Sequence, residues 1–179
     1  QSFEANGPAV RYCVDLVGPY PKTRKGKKYI LTAIDAYTRY LTCVALPEKT
    51  AIQVARALIE EVFFKLGCPR SLLSDLGTDF NNQILEHLSS VLGIQKLRAT
   101  VHRPSANGRC ERSHRTISAC LAKLVAVNQT DWDEKLQLVT FAMNCARSEA
   151  TSFSPFELMY GRLPRMPADL LLDLPAESQ

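Results

Sequence analysis

Apolar and polar positions along this chain switch between strand-like and helix-like periods. Residues 10–18 are apolar-rich without clean alternation, the pattern of a buried strand. Pro19-Tyr-Pro21 and the basic stretch behind it then predict a turn. Tyr29–Asp35 and residues 40–46, rich in β-branched and aromatic side chains, read as two more strands. Three strands joined by short turns predict an antiparallel meander. Next, Ala51, Val54, Ala55, Leu58, Ile59, Val62 and Phe63 recur at helical spacing, so a helix is expected over 51–66. Thr50 stands at its N-cap position, and Gly67 and Pro69 stop it.

The second half alternates strand and helix. Ser71–Ser74 reads as a short strand ending in an Asp75-Leu-Gly-Thr turn, and Ile84, Leu85, Leu88, Val91 and Leu92 line one side of a helix over 82–92. Gly93 ends that helix, and 94–98 is a fifth strand. Residues 100–109, with Pro104 and Gly108 and no apolar period, are expected to form a mobile loop. A long helix follows from near Gly108 to about Asn128, then one capped by Asp131, and a short one in Ser154-Pro-Phe-Glu-Leu-Met-Tyr-Gly161. The order β-β-β-α-β-α-β-α-α predicts an α/β fold: a mixed five-stranded sheet, three strands antiparallel and two parallel, flanked by helices. Residues 1–150 are taken as the core, and 151–179 as a C-terminal helix and linker.

Composition narrows the class without naming a chemistry. The 179 residues are 46% hydrophobic and 22% charged, an ordinary globular balance. No apolar run approaches the ~20 residues that cross a bilayer, so no membrane partner is expected. The start, Gln1-Ser-Phe-Glu-Ala-Asn-Gly7, has no signal-peptide character and no initiator Met, which points to a piece of a longer polypeptide. Six scattered cysteines show neither C-x-x-C spacing nor a zinc pattern with the three histidines. Reduced thiols, an intracellular compartment and no zinc are the expectation. The net charge of +4 is unevenly spread. Lys22, Arg24, Lys25, Lys27 and Lys28 crowd one turn, while Lys96, Arg98, Arg103, Arg109, Arg112 and Arg115 bracket the approach to Glu111. The first cluster reads equally as a solvated hairpin, whereas the second favours phosphate contact.

Three carboxylates carry the candidate chemistry. Asp15 interrupts Tyr12-Cys-Val-Asp-Leu-Val-Gly18, Asp75 follows Ser71–Ser74, and Glu111 opens the long helix within Asn107-Gly-Arg-Cys-Glu-Arg112. A charge inside an apolar strand costs free energy unless something compensates it. Gathered together, two such charges at ~4 Å repel by roughly 4 kcal/mol at an effective dielectric of about 20, which a divalent cation would relieve. Each has a bland explanation: a turn cap for Asp75, a helix N-terminus for Glu111. Asp15 has none nearby. Asp35 also competes, but its place before Thr38 suits a turn. His102 and His114 fit structural or DNA-facing roles, and Trp132 fits the core.

The words around these acids resemble the catalytic core of retroviral and Gypsy-type retrotransposon integrases. Residues 76–110 put thirty-five positions between Asp75 and Glu111, the interval of the family's Asp, Asp-35-Glu signature. Val14-Asp-Leu-Val-Gly-Pro19, Gly26-Lys-Lys-Tyr-Ile-Leu31, Ser74-Asp-Leu-Gly-Thr-Asp-Phe80 and Glu111-Arg112 match in order, and Ser154-Pro-Phe-Glu-Leu-Met-Tyr-Gly-Arg162 resembles the Gypsy branch. The resemblance implies an RNase H-like fold in which Asp15, Asp75 and Glu111 hold two Mg²⁺ or Mn²⁺ ions. It implies 3′-end processing and DNA strand transfer by a homo-oligomer in the nucleus. Arg103, Asn107, Arg109, Arg112 and Arg115 would contact DNA. Arg103 and Ser105 depart from the family's usual His and Gln, and Asp79 stands where an uncharged residue is common. The resemblance covers neither a zinc-binding N-terminal domain nor a C-terminal DNA-binding domain, so concerted integration by this stretch alone is not expected. A domesticated binding protein without catalysis and a ribonuclease H remain as alternatives.

Overall fold

A computed structural model describes residues 5–74, 83–98, 104–124 and 130–166, with the backbone alone for 83–85, 98 and 104–113. Five strands, β1 (Arg11–Val17), β2 (Tyr29–Asp35), β3 (Leu41–Leu46), β4 (Ser71–Ser74) and β5 (Gln95–Arg98), form one sheet in the order β3-β2-β1-β4-β5. β1 pairs antiparallel with β2, and β2 with β3, while β1–β4 and β4–β5 are parallel. This is the mixed sheet expected from the sequence, and the strand carrying Asp15 does neighbour the one that Asp75 follows.

Alternation along the strands builds two apolar layers. Tyr12, Val14, Leu31, Ala33 and Leu46 face one side and meet Val54, Leu58, Val62 and Phe63. Those four lie on a continuous helix made of α1 (Ala51–Ala57), a π-helical stretch Leu58–Phe63 and a last turn α2 (Phe64–Leu66). Cys13, Ile30, Ile34, Leu41 and Cys43 face the other side. They meet Ile117 and Leu121 of α4 (Pro104–Leu124) and Trp132, Leu136 and Val139 of α5 (Trp132–Cys145). α3 (Gln83–Val91) leads into β5, and α6 (Pro155–Tyr160) packs near the β2–β3 turn, where Tyr160 stacks edge-on against Tyr40.

Four local expectations need correcting. α4 begins at Pro104 and not near Gly108, so 104–107 are helical. Proline suits a helix's first turn because its missing N–H is one of the donors left unpaired there, and an interior Gly costs only about 1 kcal/mol relative to Ala. Residues 99–103 of the expected loop lie outside the described residues. Thr50 and Asp131 precede their helices but neither side chain makes the capping hydrogen bond, Asp131 because its backbone (φ −122°, ψ 11°) is not extended. The helix over 51–66 exists, with a π-helical stretch the sequence did not predict.

Candidate active site

The site starts from the register of the β1–β2 hairpin. Asp15 stands opposite Thr32, and both share the side of the sheet on which Cys13, Ile30 and Ile34 pack against α4 and α5. Two polar side chains therefore sit beside the apolar residues of this sheet-to-helix layer. Thr32 is fully buried, and the Asp15 side chain keeps a quarter of its surface exposed.

α4 supplies their partner. His114 Nδ1 lies 3.3 Å from Asp15 Oδ2, and its Nε2 is 2.8 Å from Thr32 Oγ1. With hydrogen on Nδ1, the ring turns an N–H toward the carboxylate and its Nε2 accepts from the Thr32 hydroxyl. Thr32 Oγ1 also lies 3.3 Å from the Asp15 carbonyl oxygen. The other carboxylate oxygen, Oδ1, accepts from the Leu16 backbone N–H at 2.7 Å. Both oxygens of Asp15 are thus oriented, one from the strand and one from the helix. One turn further along α4, Ser118 Oγ meets the Tyr20 hydroxyl at 3.0 Å, which ties the helix to the turn after β1.

The remaining sequence candidates are placed as follows. β1–β4 pairing ends with Val14 opposite Ser74, and Asp75, the next residue, lies outside the described residues. Glu111 belongs to α4, three positions before His114, the spacing that sets two residues on one helical face. Asn107, Arg109 and Arg112 lie on the same helix with only their backbone described, Arg115 is exposed, and Arg103 lies outside. His102 and Asp79 lie outside as well. Among the described residues no three His, Cys, Asp or Glu side chains gather to hold a metal; of the acidic triad only Asp15's side chain is among them.

Asp35 is settled as a turn anchor. It is fully buried, and its Oδ1 accepts from the Thr38 N–H and hydroxyl, both at 2.7 Å, and from the Tyr37 N–H at 3.2 Å. Its Oδ2 accepts from the Ala9 N–H at 2.8 Å. All these donors are local or structural. Trp132 is core, with its indole N–H donating to the Pro21 carbonyl. His114 is the residue that sequence reasoning undervalued; its one available signal was the three-residue step from Glu111.

Comparison with known proteins assigns the family. Residues 5–104 match the model of the integrase core domain. The chain belongs to the integrase core family. A relative, the retrovirus-related Pol polyprotein from transposon 412 of Drosophila melanogaster, is 34% identical over 88% of this chain and 13% of that protein. The human Gypsy retrotransposon integrase-like protein 1 is 30% identical over 86% of this chain and 29% of its own length. This integrase core therefore spans under a third of either relative. Its fold is that of the HTLV-2 integrase catalytic core, described in complex with magnesium, with a TM-score of 0.72 at 16% identity, covering 87% of this chain and 99% of that one. The RNase H-like integrase architecture is accordingly the one adopted here. Asp15 and Asp75 fall inside the family-matched stretch, and Glu111 falls just beyond it.

Proposed function

We propose that this integrase core is a metal-dependent polynucleotidyl transferase that processes 3′ ends and joins DNA strands for an LTR retroelement, working as a homo-oligomer in the nucleus. The observation that carries the reading is the His114–Asp15 contact, because it brings the helix bearing Glu111 against the strand bearing Asp15. Asp75 directly follows Ser74, the β4 residue paired with Val14, and that adjacency in sequence supports grouping it with Asp15 and Glu111.

The donor chemistry fits hard divalent cations. Asp15, Asp75 and Glu111 offer carboxylate oxygens alone, the ligands that suit Mg²⁺ or Mn²⁺. Two such ions, when bound, would activate the attacking oxygen and stabilise the leaving oxygen of an in-line phosphodiester displacement. The protein's own part is orientation. The Leu16 N–H and the His114 ring hold the Asp15 carboxylate from two sides, and its oxygens are the donors that a hard cation would take. Arg115, exposed one position beyond His114, can neutralise a phosphate of the strand lying over the site.

Strand transfer on a branched DNA substrate tests the reading. The wild-type chain is expected to release the joined product with Mg²⁺ or Mn²⁺ and not with EDTA, and Asp15→Asn and Asp75→Asn to abolish it. Activity that survives either substitution, or hydrolysis confined to RNA–DNA hybrids, would overturn it.

A further inference from the structure

The turn between β1 and β2 carries a local charge larger than the net charge of the whole chain. Residues 22–28 hold Lys22, Arg24, Lys25, Lys27 and Lys28 and no acid, a charge of +5, whereas the whole chain has +4. Everything outside this turn therefore sums to −1.

The turn is built, not loosely solvated. Tyr20 N–H donates to the Lys28 carbonyl at 2.7 Å, Thr23 N–H to the Lys27 carbonyl at 3.0 Å and Gly26 N–H to the Thr23 carbonyl at 2.9 Å. The Thr23 hydroxyl accepts from the Lys27 N–H and lies 3.2 Å from Asp133 Oδ2, and Arg24 N–H reaches the Thr130 carbonyl. Tyr20 packs on Trp132 with ring centroids 5.5 Å apart. At its base, Gly18 (φ 136°) admits no side chain, since a Cβ there would stand 2.7 Å from the Lys28 carbonyl oxygen. A rigid frame thus displays like charges that repel one another, an arrangement that disfavours the compact state unless a polyanion neutralises it.

Local acids do little of that. Lys25 pairs with Glu134 at 3.3 Å, but both side chains are about half exposed or more, where ion pairs contribute little. Asp133 is engaged with Thr23. Among the described residues Lys22, Arg24, Lys27 and Lys28 make no ion pair. The turn begins three residues after Asp15 and is tied through Tyr20 to Ser118, so it adjoins the candidate active site along α4.

We propose that the 18–28 turn is a phosphate-binding surface for duplex DNA held at the Asp15 site. The choice of duplex DNA rests on the proposed strand-transfer function. Such contacts set the position of the duplex and carry no base information. They predict an affinity that is independent of sequence and steeply dependent on salt, with log K falling by about 0.9 per phosphate contact for each unit of log salt.

The test is anisotropy of a labelled duplex titrated with the full chain across a salt series, without divalent metal. The variant carries Lys22→Gln, Arg24→Gln, Lys27→Gln and Lys28→Gln. A control carries Arg56→Gln and Lys65→Gln, on the helix across the sheet. The turn variant is expected to lower the slope by about 2–4 and affinity by at least about tenfold at moderate salt, and the control to change neither. Each single substitution read alone guards against a folding defect and should remove about one contact's share of the slope. An unchanged slope, an equal loss in the control, or tighter turn-dependent binding of single-stranded RNA would overturn the proposal. Branched-DNA strand transfer on the same proteins separates the two readings. Turn-dependent binding without metal-dependent transfer would sink the catalytic reading alone. Transfer at an unaltered KM in the turn variant would sink this one alone.

Discussion

His114→Ala is the substitution that most directly probes how the site is assembled. The ring hydrogen-bonds the Thr32 hydroxyl and lies 3.3 Å from the Asp15 carboxylate, and its side chain is only 14% exposed. The hydrogen bond contributes about 0.5–1.5 kcal/mol net and the part-exposed contact with the carboxylate about 0–1, so their loss costs roughly 0.5–2.5 kcal/mol of stability. Thr32 is not stranded, because the Asp15 carbonyl oxygen remains within 3.3 Å as an acceptor. The functional effect is separable from this. A group that orients a metal-ligating carboxylate is worth about 10- to 100-fold in metal affinity. Mn²⁺ titration followed by calorimetry should therefore show His114→Ala binding about 10- to 100-fold more weakly, with strand transfer recovering as metal is raised. His114→Asn supplies the decisive contrast. Its carboxamide nitrogen stands near the position of imidazole Nδ1, so it keeps the donor to Asp15 and loses the bond to Thr32. It should restore most of the metal affinity while retaining about 1 kcal/mol of the destabilisation. Equal metal binding by wild type and His114→Ala, with both proteins folded, would show that the ring does not orient a metal ligand.

Four further outcomes follow from the fold. Ser154→Ala removes the N-cap of α6, where Ser154 Oγ accepts from the Glu157 N–H at 3.1 Å and Glu157 Oε2 accepts from the Ser154 N–H at 2.8 Å; thermal denaturation should report a loss of about 1 kcal/mol. The Ser154 hydrogen bonds, side chain first, hold the Glu157 carboxyl below its usual value, with Arg147 adding to the effect. The stability they lend is present above the ordinary glutamate pKa and lost as pH falls through the depressed one, so Glu157→Gln should flatten the acid limb of the stability profile. Asn144→Ala leaves the Leu41 N–H and carbonyl without the side-chain partners they have at 2.8 Å each, at a buried position, and should cost about 2–5 kcal/mol by urea denaturation. Burial pushes the Cys43 thiol up to about 12, so a thiol-directed reagent should label exposed Cys68 in the native chain and Cys43 only after unfolding.

The sheet was legible because its constraints are strong and local. Short turns between the first three strands force antiparallel pairing, and a sixteen-residue helical segment before Ser71 forces a parallel return. Asp35 was legible for a similar reason, since an acid three residues before Thr38 at a strand end has backbone donors within reach. What the sequence could not show was register. Whether Asp15 meets Thr32 or a neighbour depends on how the turn closes, and a slip of one residue would turn every β1 side chain to the other face. His114 was undervalued on that account. Its partners lie on strands 82 and 99 residues away, so nothing near it in sequence betrays them. The start of α4 was missed because Pro104 and Gly108 weigh against a helix interior, whereas Pro104 occupies its first turn.

The polar contact also explains how α4 finds its place. Ile117 and Leu121 pack against an apolar surface made of Cys13, Ile30, Ile34 and Trp132. Such contacts favour burial but discriminate weakly between neighbouring alignments of a helix, because hydrophobic attraction has no direction. A shift of α4 by one turn, about 5.4 Å along its axis, would keep much of that burial. It would, however, carry His114 away from both Asp15 and Thr32, leaving two inward-facing polar groups to find new partners in an apolar layer. These polar contacts therefore select one alignment among several that the apolar residues tolerate. That selected alignment also sets the axial position of Glu111, one turn earlier on the same helix. On this account an ordinary histidine links the packing of the fold to the position of Asp15 relative to the helix that carries Glu111.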